Sequence, residues 1–434
     1  KIFMTCYGGG HAEIIKELYR NLVNIFDIEI TILALTTSKY KFEQEKIPYK
    51  LITDYYDKVK DKEAYTLGKD FCIKNNIDTS IGAEETYLYH GYALYELEKK
   101  YNKEKIEQAF KELGRPIFLP IEFMERVLKS ENPNLVVTTN SPRYEKATLI
   151  AAKNLNIKSL SVEDQFGKDD SEVTVALEKF FNDQLYQKVY GDYVCVLSEI
   201  AKKNLNYKKI SKVFITGNPS FDKTIKFFRE NSKKEKTKKE NITICYLTQK
   251  HPENILIMKK LIKFIEEKNF NLIVKIHPNE KIEDYLKEID QKENKKVEIK
   301  NSNLYENISN SDIVITIFST AALEAAILDK PIVAKKNIGV PFKDLGVGLE
   351  YENINEIEEK INAILQEYVA PAVENDGGKI SLIEYDEEIK TAKMLLQGAC
   401  SGCPSSAVTL KNGIEKVLKN FLPDVVESVE AING

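Results

Sequence analysis

The chain has 434 residues, of which 43% are hydrophobic and 30% are charged, with 63 Lys and Arg against 67 Asp and Glu. This length exceeds what one hydrophobic core supports and predicts roughly two to four domains, while the composition excludes a largely disordered chain. The balanced charge argues against a nucleic-acid partner, and no apolar run is long enough for a signal peptide or a membrane span, so we expect a cytoplasmic protein.

The chain opens with a predicted strand, a glycine loop and a helix. Residues 2–7 are the strand, the loop contains Gly9 and Gly10 and lets backbone approach a ligand, and the helix is predicted at 11–23. This is the first βα turn of a doubly wound sheet, where such proteins usually bind substrates. His11, at the mouth of the turn, is either a solvated residue at a helix start or a catalytic group.

A second strand at 28–36 is followed by a region rich in Lys, Glu and Tyr, which predicts a packed helical insertion at about 55–114. Strands and helices then alternate again, which predicts a parallel sheet buried on both faces. Glu163 and Asp164 follow one of these strands at the edge where ligands of such sheets bind, although acidic residues in loops are mostly solvated. The later strands are predicted at 135–139, 159–162, 192–197 and 213–216, with a helix at 144–154.

A run of charged residues at 233–241 contains no apolar side chain and predicts a solvated linker. It separates a first domain at 1–232 from a second at 241–366, and we expect the two halves to face each other across a cleft. The second half is predicted to contain strands at 242–247, 272–276, 297–299 and 313–317, and helices at 255–268 and 355–365.

The strongest candidate for a ligand site in the second half is the stretch 312–333. A run of β-branched residues ends before Ser319 and Thr320, and strong helix formers follow. A helix that begins there presents unpaired backbone N–H groups, the positive end of its dipole and two hydroxyls, which suits a diphosphate. Glu324, one turn further in, could accept ribose hydroxyls. The alternative is the N-capped helix of any α/β protein.

Ordered motifs across residues 1–365 resemble the UDP-N-acetylglucosamine 2-epimerase family and its GT-B glycosyltransferase relatives. Each motif is weak alone, and their order carries the resemblance. They are NPNLVVTTNSPRYEKATLIAAKNLNIKSLSVEDQ at 132–165, ITGNPSFD at 215–222, QKHPEN at 249–254, IHPNE at 276–280 and FSTAALEAA at 318–326. The resemblance implies a GT-B fold, with two Rossmann-like doubly wound domains and a nucleotide-sugar substrate such as a UDP-sugar.

The resemblance also implies roles for single residues. Ser319 and Thr320 match the diphosphate-binding turn, Glu324 the ribose-binding acid, and His277 lies in the strand-end motif before them. Glu163 matches an acid that the epimerases use beside the sugar. No metal ion is expected in the sugar site, since GT-B enzymes as a class bind the diphosphate with protein groups.

The sequence departs from the epimerase pattern in three places. Asn140 stands where the epimerases have an Asp, and an amide cannot act as a general base. The residues from Lys250 to Asn254 replace a His-Arg-x-Glu-Asn motif, and the glycine loop with His11 replaces an Arg-Pro-Glu turn. These changes favour glycosyl transfer, with His11 deprotonating an acceptor hydroxyl, over 2-epimerisation.

The charge balance changes near Glu367. Residues 368–434 hold ten acidic residues and six lysines, which leaves 57 residues of each sign in the remainder, as expected of a separately assembled domain. Strands at 379–385 and 389–396 are predicted to form a hairpin, followed by an amphipathic helix that begins near Ser405. The cysteines outside this part are expected to be buried apolar residues in a reducing compartment.

Cys400 and Cys403 form a CxxC motif just before that helix, where its dipole favours the thiolate. A lone CxxC permits a redox dithiol, half a zinc site or half an iron–sulfur site, and no other Cys or His lies in this part, so four ligands require two copies. The sequence DGG…LLQGACSGCPSS…TLKNGIE resembles the NifU C-terminal (Nfu-type) domain over residues 367–434, a small α+β unit.

The Nfu-type resemblance implies that the two cysteines of each of two chains hold one [4Fe–4S] cluster. It also implies a homodimer and client apoproteins that receive the cluster. A thioredoxin-like dithiol is the alternative, but the βαβ context that it needs is absent.

Three hypotheses follow for the whole chain. The first joins an active nucleotide-sugar enzyme to an active cluster carrier. In the second, the protein is an iron–sulfur carrier whose N-terminal part is a non-catalytic binding module. In the third, the cluster domain serves dimerisation or redox sensing for a working enzyme.

Overall fold

The computed structural model describes residues 1–25, 27–139, 142–164, 166, 172–205, 212–231, 241–277, 280–289, 295–336, 340–369, 378–386, 389–398, 415 and 428–433. They belong to two compact units, Lys1–Asp222 and Lys223–Gly434. Asn140, most of the predicted linker and both Cys400 and Cys403 lie outside the described residues. Within those ranges, no helix combines the length and the apolar character needed to cross a membrane.

A six-stranded parallel sheet forms the centre of the first unit. Its neighbours pair in the order β2-β1-β3-β4-β5-β6, and every pair is parallel, as predicted. The crossover from β1 leads to β2 on one side, and β3 lies on the other side, so the topological switch point falls between β1 and β3. The strands are β1 (Ile2–Cys6), β2 (Ile30–Ala34), β3 (Leu135–Thr139), β4 (Lys158–Val162), β5 (Tyr193–Val196) and β6 (Lys212–Ile215).

Helices cover this sheet, and five of them, α2 to α6, lie between β2 and β3. The helices are α1 (Gly10–Ile25), α2 (Ser38–Gln44), α3 (Lys62–Lys74), α4 (Ala83–Glu98), α5 (Lys103–Leu113), α6 (Ile121–Glu131), α7 (Tyr144–Asn154), α8 (Glu172–Phe181) and α9 (Glu199–Asn204). The backbones of α3 and α4 touch, since a Cβ added at Gly91 would stand 2.0 Å from the carbonyl oxygen of Ala64. The rings of Tyr89 and Tyr144 stack with centroids 4.7 Å apart and join the insertion to α7.

The second unit contains another six-stranded parallel sheet, in the order β12-β11-β10-β7-β8-β9. This is the doubly wound order of dinucleotide-binding domains, and its switch point falls between β7 and β10. The strands are β7 (Thr243–Leu247), β8 (Asn271–Lys275), β9 (Val297–Lys300), β10 (Ile313–Thr316), β11 (Ile332–Lys335) and β12 (Gly348–Tyr351). The helices are α10 (Asp222–Asn231), α11 (Asn254–Lys268), α12 (Ile282–Leu286), α13 (Leu304–Ser309), α14 (Ala321–Ile327) and α15 (Ile357–Val369).

A three-stranded sheet lies near the C-terminal end. Strands β13 (Gly378–Asp386) and β14 (Thr391–Gly398) pair antiparallel, as the predicted hairpin requires, although Ile389 lies in the turn and not in a strand. The sequence prediction missed β15 (Ser428–Asn433), which pairs parallel to β14. Its partner lies about thirty residues earlier in the chain, so no hairpin pattern marks it. Of the helix predicted after Cys403, only Glu415 belongs to the described residues, and it is helical.

The cysteines of the described residues are free thiols. Cys6, Cys72 and Cys245 are buried as predicted, whereas Cys195 is only half-buried. Burial raises the pKa of the Cys72 thiol to about 11 and that of the Cys245 thiol to about 12, so these two groups are protonated at neutral pH.

The buried carboxylate of Glu131 connects the N-terminal residue, β2 and the segment between α2 and α3. Glu131, at the end of α6, accepts hydrogen bonds from the Lys50 ammonium at 2.6 Å, the Tyr55 hydroxyl at 2.8 Å and the Thr31 hydroxyl at 3.1 Å. The ammonium of Lys1 lies 3.1 Å from the same carboxylate. Burial alone would raise the pKa of Glu131, but these donors outweigh burial and lower it to about 2.

The variant Glu131→Gln removes the charge that pairs with two lysines and is expected to lower the free energy of unfolding at pH 7 by about 2 kcal/mol. The loss is no larger because the lysines reach solvent, which screens their charges. The pKa of Glu131 is depressed in the fold, so its stabilisation is complete above the unfolded value of 4.5 and is lost as pH falls toward about 2. Urea unfolding of both proteins between pH 7 and pH 3 measures the difference, which must shrink below pH 4.5. Glu107→Gln, which removes an exposed partner of Lys74, is the matched control. A difference independent of pH would contradict the assignment.

Candidate functional site

His11 lies in the first turn of α1 and contacts residues at the ends of two other strands. Its Nδ1 is hydrogen-bonded to the Thr139 hydroxyl, at the end of β3, and its Nε2 lies 3.6 Å from Oδ2 of Asp164, which follows β4. Strands β1, β3 and β4 are parallel neighbours, so their carboxyl ends meet at one edge of the sheet. His11 therefore stands at the switch point of the first sheet.

A second carboxyl group continues this contact into the protein interior. The Thr139 hydroxyl is also hydrogen-bonded to Oε1 of Glu145, in the first turn of α7, and Oε2 of Glu145 lies 4.0 Å from Nδ1 of His11. Glu145 is fully buried. Burial raises the pKa of the Glu145 carboxyl well above its ordinary value, although the Thr139 hydrogen bond acts in the opposite direction.

The glycine loop next to His11 is open to a ligand. A Cβ added at Gly9 or Gly10 would meet nothing within 4 Å, and Gly9 has a positive φ of 70°. Glu163 is buried, and Lys188 donates to its Oε2 at 3.4 Å. Of the two acidic residues after β4, Asp164 is the one whose carboxylate faces His11.

The predicted diphosphate turn follows β10, but its amides are partly paired. Helix α14 begins one or two residues later than predicted. The N–H of Phe318 donates to the side-chain oxygen of Gln249 at 3.2 Å, and the N–H of Ser319 donates to the hydroxyl of Thr316 at 3.2 Å. The turn still presents a surface, since Phe318 and Thr320 are exposed while Ser319 is buried.

The other two predicted residues of the second unit lie on different elements. The carboxylate of Glu324, on α14, accepts a hydrogen bond from the Thr224 hydroxyl at 2.7 Å. His277 follows β8, and its backbone N–H donates to the Thr248 hydroxyl at 3.1 Å. Burial lowers the pKa of the His277 imidazole.

Asn254 holds together the motifs that follow β7 and β8. Its side-chain amide donates to the backbone oxygen of Gln249, to Glu280 at 2.9 Å and to the Tyr285 hydroxyl at 2.9 Å, and it accepts from the Tyr246 hydroxyl at 2.9 Å. Since Gln249 in turn receives the N–H of Phe318, this network also positions the turn after β10.

Sequence reasoning singled out neither Thr139 nor Glu145, and it missed the pairing of Gln249 with the turn after β10. It also missed the ion pair between Lys335, at the end of β11, and Glu253, whose atoms are 2.6 Å apart. The available signal was positional, because Thr139 and Lys335 end a strand and Glu145 and Glu253 lie at the start of a helix. In the part of the chain that the structure describes, no three His, Cys, Asp or Glu side chains are arranged to hold a metal ion.

Two family profiles match different parts of the chain. Residues 361–429 match the NifU-like domain, and residues 162–337 match CDP-Glycerol:Poly(glycerophosphate) glycerophosphotransferase. The C-terminal profile matches the region in which the sequence resembles Nfu-type domains.

The curated relatives share only the C-terminal part. NifU-like protein 5, mitochondrial, of Arabidopsis thaliana is 43% identical over 84 residues, which are 19% of this chain and 30% of that protein. NFU1 iron-sulfur cluster scaffold homolog, mitochondrial, of Drosophila willistoni is 42% identical over 81 residues, 19% of this chain and 27% of that protein. The chain thus spans less than a third of the length of these relatives.

Solved structures resemble the larger part. UDP-GlcNAc 2-epimerase of Neisseria meningitidis, bound to UDP-GlcNAc, superimposes with a TM-score of 0.53 at 14% identity over 84% of this chain and 92% of that one. The epimerase of Methanocaldococcus jannaschii, in complex with UDP-GlcNAc and UDP, gives a TM-score of 0.50 at 18% identity over 84% and 93%. At these identities the likeness shows the fold alone. The predicted fold class, two α/β domains of GT-B type and a NifU-like domain, is confirmed.

The variant Asn254→Leu is expected to lower the free energy of unfolding of the second unit by about 3 kcal/mol, because it leaves the buried Tyr246 hydroxyl and the Glu280 and Tyr285 oxygens without their amide partner. Urea unfolding followed by circular dichroism measures the loss. Asn355→Leu, at an exposed position of the same unit, is the control and should change little. Equal effects of the two variants would show that the Asn254 network does not stabilise the fold.

Proposed function

We propose that residues 1–365 transfer a sugar from a nucleotide-diphosphate donor to a hydroxyl acceptor. The observation that carries this proposal is the contact of His11 with both Thr139 and Asp164 at the switch point of a parallel sheet, beside an open glycine loop. A histidine and a carboxylate within reach of each other are the parts that remove a proton from an acceptor hydroxyl. Glu163 is assigned to the sugar side of the same site.

In this proposal the second unit binds the nucleotide. The exposed turn at Phe318 and Thr320 is assigned to the diphosphate, and the Phe318 N–H would exchange the Gln249 oxygen for a phosphate oxygen. Ser319 supplies its hydroxyl, and Glu324 accepts the ribose hydroxyls, a role that it can combine with its bond to Thr224. His277 belongs to the strand-end motif of the same edge. No metal ion is part of this proposal.

Two other reactions share this geometry. Transfer of glycerophosphate from CDP-glycerol is favoured by the family profile that matches residues 162–337. It would use the same activated hydroxyl, with attack at phosphorus in place of carbon. The 2-epimerisation named for the structural relatives is less favoured, since Asn140 stands where a general base is required.

For the C-terminal part we propose that Cys400 and Cys403 of two chains bind one [4Fe–4S] cluster as cargo for client apoproteins. Two thiolates per chain are half of the four that such a cluster takes, and this number is the reason for a homodimer. The 43% identity to a NifU-like protein supports the proposal. If the larger part proves inactive, the protein is an iron–sulfur carrier with a non-catalytic binding module. If the larger part is a working enzyme and the cluster is not passed on, the cluster domain serves dimerisation or redox sensing. We propose a cytoplasmic location, because free thiols need a reducing environment.

UDP is expected to stabilise the chain against thermal unfolding, by about 2.7 kcal/mol at a hundred times its dissociation constant. Glu324→Gln should weaken UDP binding roughly tenfold, since a bond between a ribose hydroxyl and a charged acceptor is lost. Isothermal calorimetry with UDP and with 2′,3′-dideoxy-UDP separates the loss of the ribose contact from a general loss of affinity. The wild type should discriminate between the two ligands and the variant should not. Glu283→Gln, an exposed acid of the same unit, is the control. Equal discrimination by Glu324→Gln would refute the ribose contact.

Anaerobic reconstitution with iron and sulfide should give one [4Fe–4S] cluster per dimer, read by visible absorbance and by mass in solution. Cys400→Ser and Cys403→Ser should each abolish cluster uptake, because each variant removes one thiolate from both chains and leaves two of the four ligands. Cys195→Ser, which changes a half-buried thiol of the first unit, is the matched control. Cluster uptake by a monomer, or its loss in the control, would overturn the shared site.

A further inference from the structure

Four side chains of the first unit form one connected chain from the interior to the surface. Oε1 of Glu145 is hydrogen-bonded to Thr139, Thr139 is hydrogen-bonded to Nδ1 of His11, and Nε2 of His11 lies 3.6 Å from Asp164. The Thr139 hydroxyl has a single proton and can donate it to only one of its two neighbours. The direction of that donation decides which nitrogen of His11 carries a proton.

Two arrangements are consistent with these contacts. With Glu145 ionised, Thr139 donates to the carboxylate, His11 donates from Nδ1, and a lone pair is left on Nε2. With Glu145 protonated, Glu145 donates to Thr139, Thr139 donates to Nδ1, and His11 carries its proton on Nε2, facing Asp164. In the first arrangement His11 can act as a base, and in the second it is a donor to Asp164.

Burial discriminates between the two arrangements. The side chain of Glu145 is 0% exposed and that of Asp164 is 18% exposed. Oε2 of Glu145 is buried and accepts no hydrogen bond from the residues that the structure describes. An ionised carboxylate with an unpaired oxygen away from water is far more costly than a neutral acid.

The charged groups around Glu145 modify this balance without reversing it. Burial raises the pKa of Glu145, the charge of Asp164 adds to that effect, and the hydrogen bond from Thr139 and the guanidinium of Arg143 oppose it. The net shift is well above the ordinary value. Of the two carboxyl groups, the buried Glu145 is therefore the one that carries a proton, and Asp164 lies at the partly exposed end of the series.

We propose that Glu145 is a positioning residue that carries a proton and that Asp164 is the catalytic base. The hydrogen bonds from Glu145 through Thr139 thereby hold His11 as its Nε2–H tautomer. The role of Asp164 rests on the proposed transfer, whereas the tautomer of His11 does not. In the reaction, the acceptor O–H bond breaks and its proton passes to Asp164. The electron pair of the oxygen forms the bond to the anomeric carbon, and the pair of the broken carbon–diphosphate bond leaves with the nucleoside diphosphate.

The tautomer is measured by nuclear magnetic resonance of the full chain labelled with ¹⁵N-histidine. The chain has four histidines, and His11→Gln identifies the signals of His11 by their loss. At neutral pH we expect Nδ1 of His11 at the chemical shift of an unprotonated nitrogen and Nε2 at that of a protonated one. Thr139→Val should abolish this preference, because the donor to Nδ1 is removed. A proton on Nδ1 in the wild type would overturn the proposal whether or not the protein has activity.

The base is tested by the release of UDP from UDP-N-acetylglucosamine. Asp164→Asn should lower the rate by about 10²- to 10³-fold, and formate should restore activity to Asp164→Ala. Glu145→Gln, whose amide can donate to Thr139 as the neutral acid does, should lower the rate by less than about tenfold. Two results would assign the base to His11. The first is a loss of rate in Glu145→Gln as large as that in Asp164→Asn. The second is rescue of His11→Ala by imidazole without rescue of Asp164→Ala by formate. No release by the wild type would overturn the proposed transfer and the base role of Asp164, and would leave the tautomer to its own measurement.

Discussion

The candidate site depends on one constraint of parallel sheets, namely that neighbouring strands end at the same edge. His11 and Thr139 are 128 residues apart in sequence and hydrogen-bonded in space, because β1 and β3 are neighbours on either side of a reversal in strand order. The same constraint brings Gln249, after β7, to the backbone of Phe318, after β10. Both sheets thus collect polar side chains at their switch points, where the connections that follow two neighbouring strands lead to opposite sides.

A second constraint acts inside the first sheet, where a carboxyl group is placed without access to water. Glu145 is fully buried, and its contact is a hydroxyl that is shared with His11. The free energy of such a buried carboxyl group is high when it is ionised and low when it is protonated. Its environment therefore sets the proton arrangement of the groups connected to it. The carboxyl of Glu131 has the opposite shift of its pKa. That carboxyl is also buried, but lysines and a tyrosine donate to it, and its pKa is depressed to about 2. Burial alone does not decide the charge of an acid, because the donors around it do.

Local sequence pattern was sufficient for most of the fold. Runs of β-branched residues predicted the strands, and the predicted helix at 144–154 coincides with α7. The partners of His11 were out of reach of such patterns. A Thr that ends a strand and a Glu in the first turn of a helix are common, and only the strand order brings them together. At the turn after β10 the pattern predicted free amides, and the structure pairs three of them with side chains, one of which comes from a residue 69 positions away. Strand β15 was missed for a similar reason, since its pairing to β14 is parallel and distant.

The two parts of the chain differ in what they need in order to be complete. The connected side chains of Glu145, Thr139, His11 and Asp164 all belong to one unit, so their chemistry requires no second copy of the protein. A cluster held by one CxxC pair does require a second copy, since two thiolates leave half of the iron coordination open. Dimerisation through a cluster would therefore bring two copies of the larger part together without contributing a residue to their hydrogen-bond chains. Under the two proposals, a change in cluster occupancy would alter the oligomeric state while the proton arrangement at His11 stayed the same.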